Sequence, residues 1–219
     1  MDFIAEIRSA LVASADQQRA AGQQAYMKST MPFYGVSMPE VRKITRQIAK
    51  SYDLDLAGLA QLSRQVWDGA THREERHVAL NLHGLPLAKG KLELVDLYEY
   101  QAVTGAWWDY VDELAHRIAN LHDAHPQQTA RIVGIWSVAE SFWLRRLAII
   151  SQLQRKERTN VCCLAEVIEA NRTEKEFFIR KAIGWALRDY ARFDPAWVRS
   201  FVASHELSPL SKREALKHL

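Results

Sequence analysis

Arg145-Arg146-Leu147-Ala148-Ile149, followed by Leu153, is the stretch of sequence that decides the fold, because it recurs. Arg180-Lys181-Ala182-Ile183, followed by Leu187, repeats it at an offset of 34 (146 to 180), and Arg76-His77-Val78-Ala79-Leu80 resembles it about two such units upstream. A period in the mid-thirties with two helices per unit is typical of an α-solenoid, which presents a long concave surface. Chance similarity between short helical segments is the alternative interpretation.

Helix signals extend along the whole chain. Apolar residues recur at helical spacing, and no alternating apolar pattern bounded by hairpin turn residues is present. Ser37–Glu40 and Thr173–Glu176 are patterns typical of capping boxes, and Asp194-Pro195 predicts an N-cap with proline at the first helical position. Because glycine-, proline- or serine-rich linkers are missing, we expect one all-α domain over residues 1–219. At about 11–12 residues per helix, it would hold roughly ten to fourteen helices in a right-handed stack.

Composition and charge narrow the class of protein. The 219 residues are 48% apolar and 25% charged, which is typical of a globular chain, and a formal net charge of +3 weakly favours an anionic partner. The sequence has neither an apolar run long enough for a transmembrane helix nor a signal peptide, so we expect a cytoplasmic protein. His72, His77 and His83 lie without a cluster of acids and cysteines, so no metal site is expected. The adjacent Cys162 and Cys163 are interpreted as buried packing.

Seven tryptophans are an unusually high number, and two of them lie beside acidic residues. In the stretch Trp107–Asp112, Trp108 and Asp112 are four residues apart and share one face of a helix. Trp107 lies four residues before Val111 and belongs to the apolar, inward-facing stripe. A tryptophan beside a carboxylate outside that stripe is a candidate site. The alternative is a helix N-terminus whose acids are favoured by the helix dipole.

The 34-residue offset places further candidates on the same surface as Asp112. Arg146 and Arg180 occupy the equivalent position in successive repeats, whereas the adjacent Arg145 points about 100° away. An acid flanked by arginines could bind a phosphate backbone and keep one carboxylate for chemistry. A salt-bridge ladder between repeats is the equal alternative. Trp185 lies near the edge of an apolar helix face, so packing in the core is a serious alternative to a functional role. The 34-residue offset does not place Trp185 on the surface that carries Asp112, Arg146 and Arg180.

Several sequence blocks occur together in the order found in one protein family. On these blocks the chain resembles the AlkD family of bacterial alkylpurine DNA glycosylases, over nearly its whole length from about residue 20 to the end. No single block decides the resemblance, but their order is specific. The blocks are Ala25–Lys28, Pro32–Val36, Trp107–Asp112, Trp143–Ala148, Glu176–Trp185 and Ser208–Ala215.

The resemblance implies a fold, an activity and a set of functional residues. Members of the family are α-solenoids of HEAT-like helix pairs with a concave DNA-binding groove. They hydrolyse the N-glycosidic bond of cationic N3- and N7-alkylated purines in duplex DNA. The family's functional tryptophans correspond to Trp108 and Trp185, its carboxylate to Asp112, and a DNA-contacting arginine to Arg146. Because all four residues are present, the resemblance favours an active enzyme over relatives that lack these residues.

Further expectations follow from the matched blocks. Tyr26 in the first block and Lys212 and Arg213 in the last are expected to contact DNA. Tyr34 departs from the family pattern, in which an aliphatic residue or phenylalanine is more usual. We expect a monomer that binds double-stranded DNA containing alkylated purines, without a metal, a cofactor or a membrane.

The expected chemistry agrees with the residue types. An N-alkylated purine is already cationic, so its bond to the sugar breaks without a general acid and leaves oxocarbenium character on the deoxyribose. One carboxylate can stabilise that charge and position water, and indole faces can stabilise it through their quadrupoles. One aspartate and two tryptophans therefore suffice. The alternative from a different class is a non-catalytic solenoid that binds DNA or a protein partner.

Overall fold

Thirteen α-helices make up the structure, a computed structural model that describes residues 2–219. Within that range no residue lies in a β-strand, so the all-α prediction is confirmed. Over the same residues, no helix has the length and apolar character needed to cross a membrane. The chain divides into two compact units, Met1–Lys89 and Gly90–Leu219, and each is described by itself. The expectation of one continuous domain over residues 1–219 stays a prediction.

The first unit is built from five helices whose apolar stripes face one another. The helices are α1 (Phe3–Ala13), α2 (Gln17–Met27), α3 (Met38–Ala49), α4 (Leu56–Asp68) and α5 (Arg73–Leu82). On α1, Phe3, Ile7 and Leu11 recur every four residues and are buried. Helix α1 packs on α3, and both α3 and α4 pack on α5, so α5 lies at the centre of this unit.

A buried carboxylate fixes the loop before α3. Glu74 is fully buried, and its oxygens accept hydrogen bonds from the backbone N–H groups of Tyr34, Gly35 and Val36 at 2.8–3.1 Å. Gly35 has φ +86°, and a Cβ there would overlap the Asp16 carbonyl oxygen, so glycine is required. Three hydrogen bonds to the Glu74 carboxylate therefore fix the conformation of this loop.

The hydroxyl of Tyr34, the residue that departs from the family pattern, has a partner in this unit. It donates to Glu75 Oε1 at 2.7 Å, and the Tyr34 ring stacks on His72 with 3.8 Å between ring centroids. Burial and the hydrogen bond to Glu75 raise the pKa of Tyr34 to about 12. Glu75 also accepts from Arg8 Nη2 at 3.0 Å. The Tyr34 hydroxyl, which phenylalanine or an aliphatic residue would lack, is therefore accommodated by its hydrogen bond to Glu75.

The second unit is a stack of helix pairs. Its helices are α6 (Val95–Gly105), α7 (Trp108–Ala124), α8 (Pro126–Trp136), α9 (Phe142–Ile150), α10 (Val161–Glu169), α11 (Phe177–Ala191), α12 (Pro195–Ser204) and α13 (Pro209–Ala215). Helices α7, α9, α11 and α13 pack on one another in succession, while α8 packs on α7, α10 on α9 and α12 on α11. Asp112, Arg146 and Arg180 lie on α7, α9 and α11, so the offset of 34 does relate equivalent helices.

Expectations for single residues agree with the structure in part. The predicted N-cap Asp194 is confirmed, because its side chain accepts from the backbone N–H of Trp197 at 2.9 Å. Ser37 is the N-cap residue of α3 but makes no side-chain capping bond, so the capping box predicted there is wrong. Cys163 is buried, whereas Cys162 is exposed, because adjacent residues on a helix point about 100° apart. The burial predicted for Cys162 is therefore wrong.

The second predicted capping box, Thr173–Glu176, is also wrong. Helix α11 begins later, at Phe177, with Glu176 as its N-cap. The physical reason is Glu174, whose carboxylate accepts from the backbone N–H groups of Lys175 and Glu176 and so stabilises a turn outside the helix.

Candidate active site

The centre of the candidate site is a two-pronged ion pair between α7 and α9. Arg146 Nε donates to Asp112 Oδ1 at 2.9 Å, and Arg146 Nη2 donates to Asp112 Oδ2 at 3.0 Å. Arg146 Nη2 also lies 2.8 Å from Asp112 Oδ1, so the guanidinium contacts both carboxylate oxygens through Nε and Nη2. The 34-residue offset therefore does bring these two residues together. Their contact is the salt bridge between repeats that the sequence offers as an alternative to a DNA-binding role.

A third helix completes the arrangement around Arg146. Its Nη1 donates to the Phe178 carbonyl oxygen at 2.8 Å, in the first turn of α11, and its guanidinium lies 6.0 Å from the centroid of the Phe178 ring. Arg146 is only 5% exposed. One buried cation therefore joins α7, α9 and α11, and these three hydrogen bonds use three of its five N–H groups.

The ionisation of Asp112 is set by opposing effects. Burial, the largest effect, raises its pKa to about 6 with a smaller contribution from the negative charge of Asp109, and the charge and hydrogen bonds of Arg146 lower it. Asp112 is therefore ionised at neutral pH. Its side chain is 17% exposed, so part of the carboxylate faces outward. Two carboxylate oxygens offer about four lone-pair positions, and Arg146 takes two, so water or a sugar can still be bound.

Trp108 lies one helical turn before Asp112. It is the first residue of α7, follows the N-cap Trp107, and is half-buried. Trp107 is itself half-buried and packs in an aromatic cluster with Trp143 and Phe178, at 6.2 and 5.9 Å between ring centroids. The core position predicted for Trp107 is therefore only partly correct, because the residue precedes the first turn of α7 and packs against α9 and α11 at the edge of the core.

Trp185 occupies α11, seven residues after Phe178 and hence on nearly the same side of the helix. It is half-buried, and most of the residues around it on α11 are buried. The buried residues of this part of the helix are Ile179, Ala182, Ile183, Gly184, Ala186 and Leu187. Trp185 is therefore at the border of the core rather than inside it. The contact of Arg146 with Phe178 places α11, and with it this border, beside the Asp112 helix.

The expected DNA-contacting residues occupy different surroundings. Tyr26 lies in the last turn of α2 in the first unit and is 77% exposed. Lys212 is half-buried and Arg213 exposed, and both belong to α13 in the second unit. Arg145 points away from Arg146, as expected, and donates to Glu174 at 2.7 Å. The DNA contacts assigned to Tyr26, Arg146, Lys212 and Arg213 stay predictions.

Two comparisons with known proteins identify the family. The model of the DNA alkylation repair enzyme family matches residues 7–219. The chain belongs to this family. A solved structure described as a predicted DNA alkylation repair enzyme from Enterococcus faecalis is 34% identical, with 94% of this chain and 97% of that one covered and a TM-score of 0.84. The resemblance to AlkD-type proteins seen in the sequence is confirmed, and membership in the DNA alkylation repair enzyme family supports a role in DNA repair.

Two solved structures of lower sequence identity share the fold. AlkD2 from Streptococcus mutans is 16% identical, with 93% of this chain and 98% of that one covered and a TM-score of 0.67. The smu.31 protein from Streptococcus mutans UA159 is 17% identical over 92% and 98% of the two chains, with a TM-score of 0.64. At these identities the likeness concerns the fold alone. No curated protein sequence matches this chain.

Two features of the site are not predicted by the sequence. The Phe178 carbonyl that accepts from Arg146 is a backbone atom and has no residue signature. Glu214 of α13, which contacts α11 on both sides of Gly184, is also missed. A usable signal was present, because a glycine inside a helix indicates close approach of another element. In the described part of the chain, no group of three or more His, Cys, Asp or Glu residues is arranged to hold a metal ion.

Proposed function

We propose that this DNA alkylation repair family member is a DNA glycosylase that hydrolyses the N-glycosidic bond of cationic N3- and N7-alkylated purines in duplex DNA. The observation that supports it best is the Asp112 carboxylate, which Arg146 holds by two hydrogen bonds one helical turn from Trp108. A carboxylate fixed before the reaction stabilises developing positive charge without reorganising during the step.

The proposed reaction needs few groups. The bond between C1′ of the deoxyribose and the purine nitrogen breaks, its electron pair leaves with the base and neutralises the base, and the sugar becomes an oxocarbenium ion. Asp112 stabilises that cation and orients a water molecule, whose oxygen then bonds C1′ and whose proton is lost. Trp108 and Trp185 contribute the negative faces of their rings.

Arg146 is proposed to act first on Asp112 and second on DNA. Its bonds fix the direction of the carboxylate and help to keep it ionised at neutral pH. The two remaining N–H groups can reach a phosphate as the bound duplex approaches. Lys212, Arg213 and the exposed Tyr26 are proposed to contact the backbone, which makes binding steeply dependent on salt and nearly independent of base sequence.

A non-catalytic DNA-binding protein is the second candidate. The observation in its favour is the same ion pair, because a bidentate bridge between repeats also stabilises a helix stack without any chemistry. The two candidates differ in whether the Asp112 charge matters to a bond-breaking step.

Single-turnover release of 7-methylguanine from methylated duplex DNA tests the proposal. Asp112→Asn keeps the side-chain size and an oxygen for Arg146 but removes the charge, so excision is expected to fall roughly 10²–10³-fold while DNA binding survives. Asp109→Asn is the matched control, because it removes the same charge from another face of the first turn of α7. The Asp109 charge raises the Asp112 pKa, so its loss favours the ionised form of Asp112 and the excision rate of Asp109→Asn is expected to change much less than that of Asp112→Asn. Lack of release by the wild type, or equal rates in wild type and Asp112→Asn, would refute the catalytic role. Circular dichroism verifies that each variant is folded.

A further inference from the structure

The C-terminal helix α13 supplies one carboxylate to two cations of α11. Glu214 Oε2 lies 3.0 Å from Lys181 Nζ and accepts from Arg188 Nη1 at 2.7 Å. The Glu214 side chain is 14% exposed, whereas the side chains of Lys181 and Arg188 are 37% and 21% exposed, so the bridge is partly open to water on the side of the cations. The hydrogen bonds from Lys181 and Arg188 lower the pKa of Glu214, which is therefore ionised across the neutral range. The cluster of Lys181, Arg188 and Glu214 carries a net charge of +1.

This cluster lies along the helix face that carries Trp185. Lys181 is four residues before Trp185 and Arg188 is three residues after it, and both spacings place side chains next to each other on one face of an α-helix. The two cations therefore flank the tryptophan along the axis of α11. Glu214 reaches both of them from the neighbouring helix.

Close packing fixes the position of Glu214. Gly184 of α11 faces α13, where a Cβ would overlap Glu214 Cβ and lie 3.0 Å from the Ser211 carbonyl oxygen. Ser211 Oγ donates to the Arg180 carbonyl oxygen at 2.9 Å, one turn earlier on α11. The glycine and this hydrogen bond hold the two helices in direct contact. Glu214 therefore approaches α11 between Lys181 and Arg188, where it can contact both.

We propose that Glu214 is a positioning residue for catalysis, which holds Lys181 and Arg188 and neutralises one of their two charges beside Trp185. This inference rests on the proposed glycosylase activity. Its physical reason is that the transition state is cationic: an uncompensated ammonium or guanidinium along the Trp185 face opposes the positive charge that develops on the sugar. The same two cations, when released, would instead strengthen binding to any phosphate backbone.

Glu214→Gln tests the proposal because it keeps the size of the side chain and raises the cluster charge from +1 to +2. Single-turnover excision is expected to slow about fivefold, the order of magnitude for one additional unit charge near a partly solvated site. Affinity for undamaged duplex is expected to rise and its salt dependence to steepen. The matched control is Glu169→Gln, which removes a carboxylate 3.0 Å from Arg172 on the α10 side of the unit and leaves both measurements unchanged.

A second substitution separates charge from packing. Lys181→Gln combined with Glu214→Gln returns the cluster to +1, so the double variant is expected to recover most of the lost rate, which a purely structural defect would not do. Lys181→Gln alone changes no residue of α13, keeps the bridge from Arg188 to Glu214, and lowers the cluster charge to 0, so its rate should rise about fivefold by the same reasoning. An unchanged or lower rate for Lys181→Gln overturns the proposal even if Glu214→Gln fails to fold.

The outcomes also separate this inference from the proposed function. An active wild type with a full rate in folded Glu214→Gln overturns only the role of Glu214. A slower Glu214→Gln that Lys181→Gln does not rescue likewise overturns it. A wild type that releases no base overturns the proposed glycosylase, and this inference with it.

Discussion

Replacing Arg146 by methionine removes the one cation that α7, α9 and α11 share, while keeping an unbranched apolar side chain in its place. The change deletes two charge-assisted bonds to Asp112 and one bond to the Phe178 carbonyl. Removing one partner of a buried ion pair costs about 3–5 kcal/mol, because the other charge is left uncompensated. At this chain length that corresponds to a melting temperature lower by roughly 6–20 °C.

The loss of unfolding free energy caused by Arg146→Met should be larger at high pH than at low pH. Burial already raises the Asp112 pKa from 3.8 to about 6, and loss of Arg146 removes the effect that lowers it, so the pKa rises further. The folded variant then holds a proton that the unfolded chain releases, so its stability falls as pH rises from about 3.8 to its own raised pKa, by up to about 1.4 kcal/mol per pH unit. The wild type falls in the same way only up to about pH 6, so the cost of the substitution grows above pH 6. We therefore expect the full cost near pH 8. Near pH 5, where Asp112 is protonated in both proteins, only about 1–3 kcal/mol is expected.

Urea denaturation followed by circular dichroism at pH 5 and pH 8 measures both values. Arg145→Met is the matched control, because Arg145 also makes three hydrogen bonds, to Glu174 and to the carbonyls of Ala139 and Glu140. The pKa of Glu174 is lowered, mainly by its backbone hydrogen bonds, so this control should show little change in cost between the two pH values. A cost for Arg146→Met that is below about 1 kcal/mol, or equal at both pH values, refutes the assignment of Asp112 as its buried, ionised partner.

Three other outcomes are expected. The single-turnover excision rate should rise between pH 5 and 7 with a midpoint near 6, because the ionised form of Asp112 stabilises the sugar cation; a flat profile after subtraction of spontaneous release would contradict this. Gly184→Ala should lower the free energy of unfolding by about 1–3 kcal/mol, because its methyl group displaces Glu214 and with it α13, and unchanged stability would show that α13 yields freely. Glu74→Gln should cost about 1–3 kcal/mol in thermal or urea unfolding, because a neutral amide cannot satisfy all three N–H groups of Tyr34–Val36, and a neutral result would contradict that bonding.

The sequence predicts the helical fold because its signals are local or periodic. Apolar spacing and the aspartate before Pro195 identify helices, and the 34-residue offset relates α7, α9 and α11. The same offset identifies Asp112 and Arg146 as equivalent positions, so it predicts a salt bridge between repeats as one of two alternatives, and the structure contains that contact. Capping was less predictable, because Glu174 competes for the backbone N–H groups before α11 and moves the helix start.

The rest of the site depends on contacts that sequence patterns do not encode. The bond from Arg146 to the Phe178 carbonyl uses a backbone acceptor that every residue possesses. The bridge from Glu214 to Lys181 and Arg188 forms because α13 packs closely on α11. In the sequence, Gly184 is the residue that indicates this close packing. The half-buried position of Trp185 at the edge of the core depends on how the neighbouring helices pack around α11. The apolar periodicity of α11 alone therefore does not predict whether Trp185 is buried or exposed.

The buried ion pair also constrains how this protein can diverge. A neutral residue at position 112 would leave the Arg146 guanidinium inside the helix stack without its counter-charge, and a neutral residue at position 146 would leave the carboxylate in the same condition. Either single change therefore lowers the stability of the fold, even where activity is no longer under selection. Descendants that abandon the chemistry are therefore expected to replace both positions together, and a lineage that retains one should retain the other.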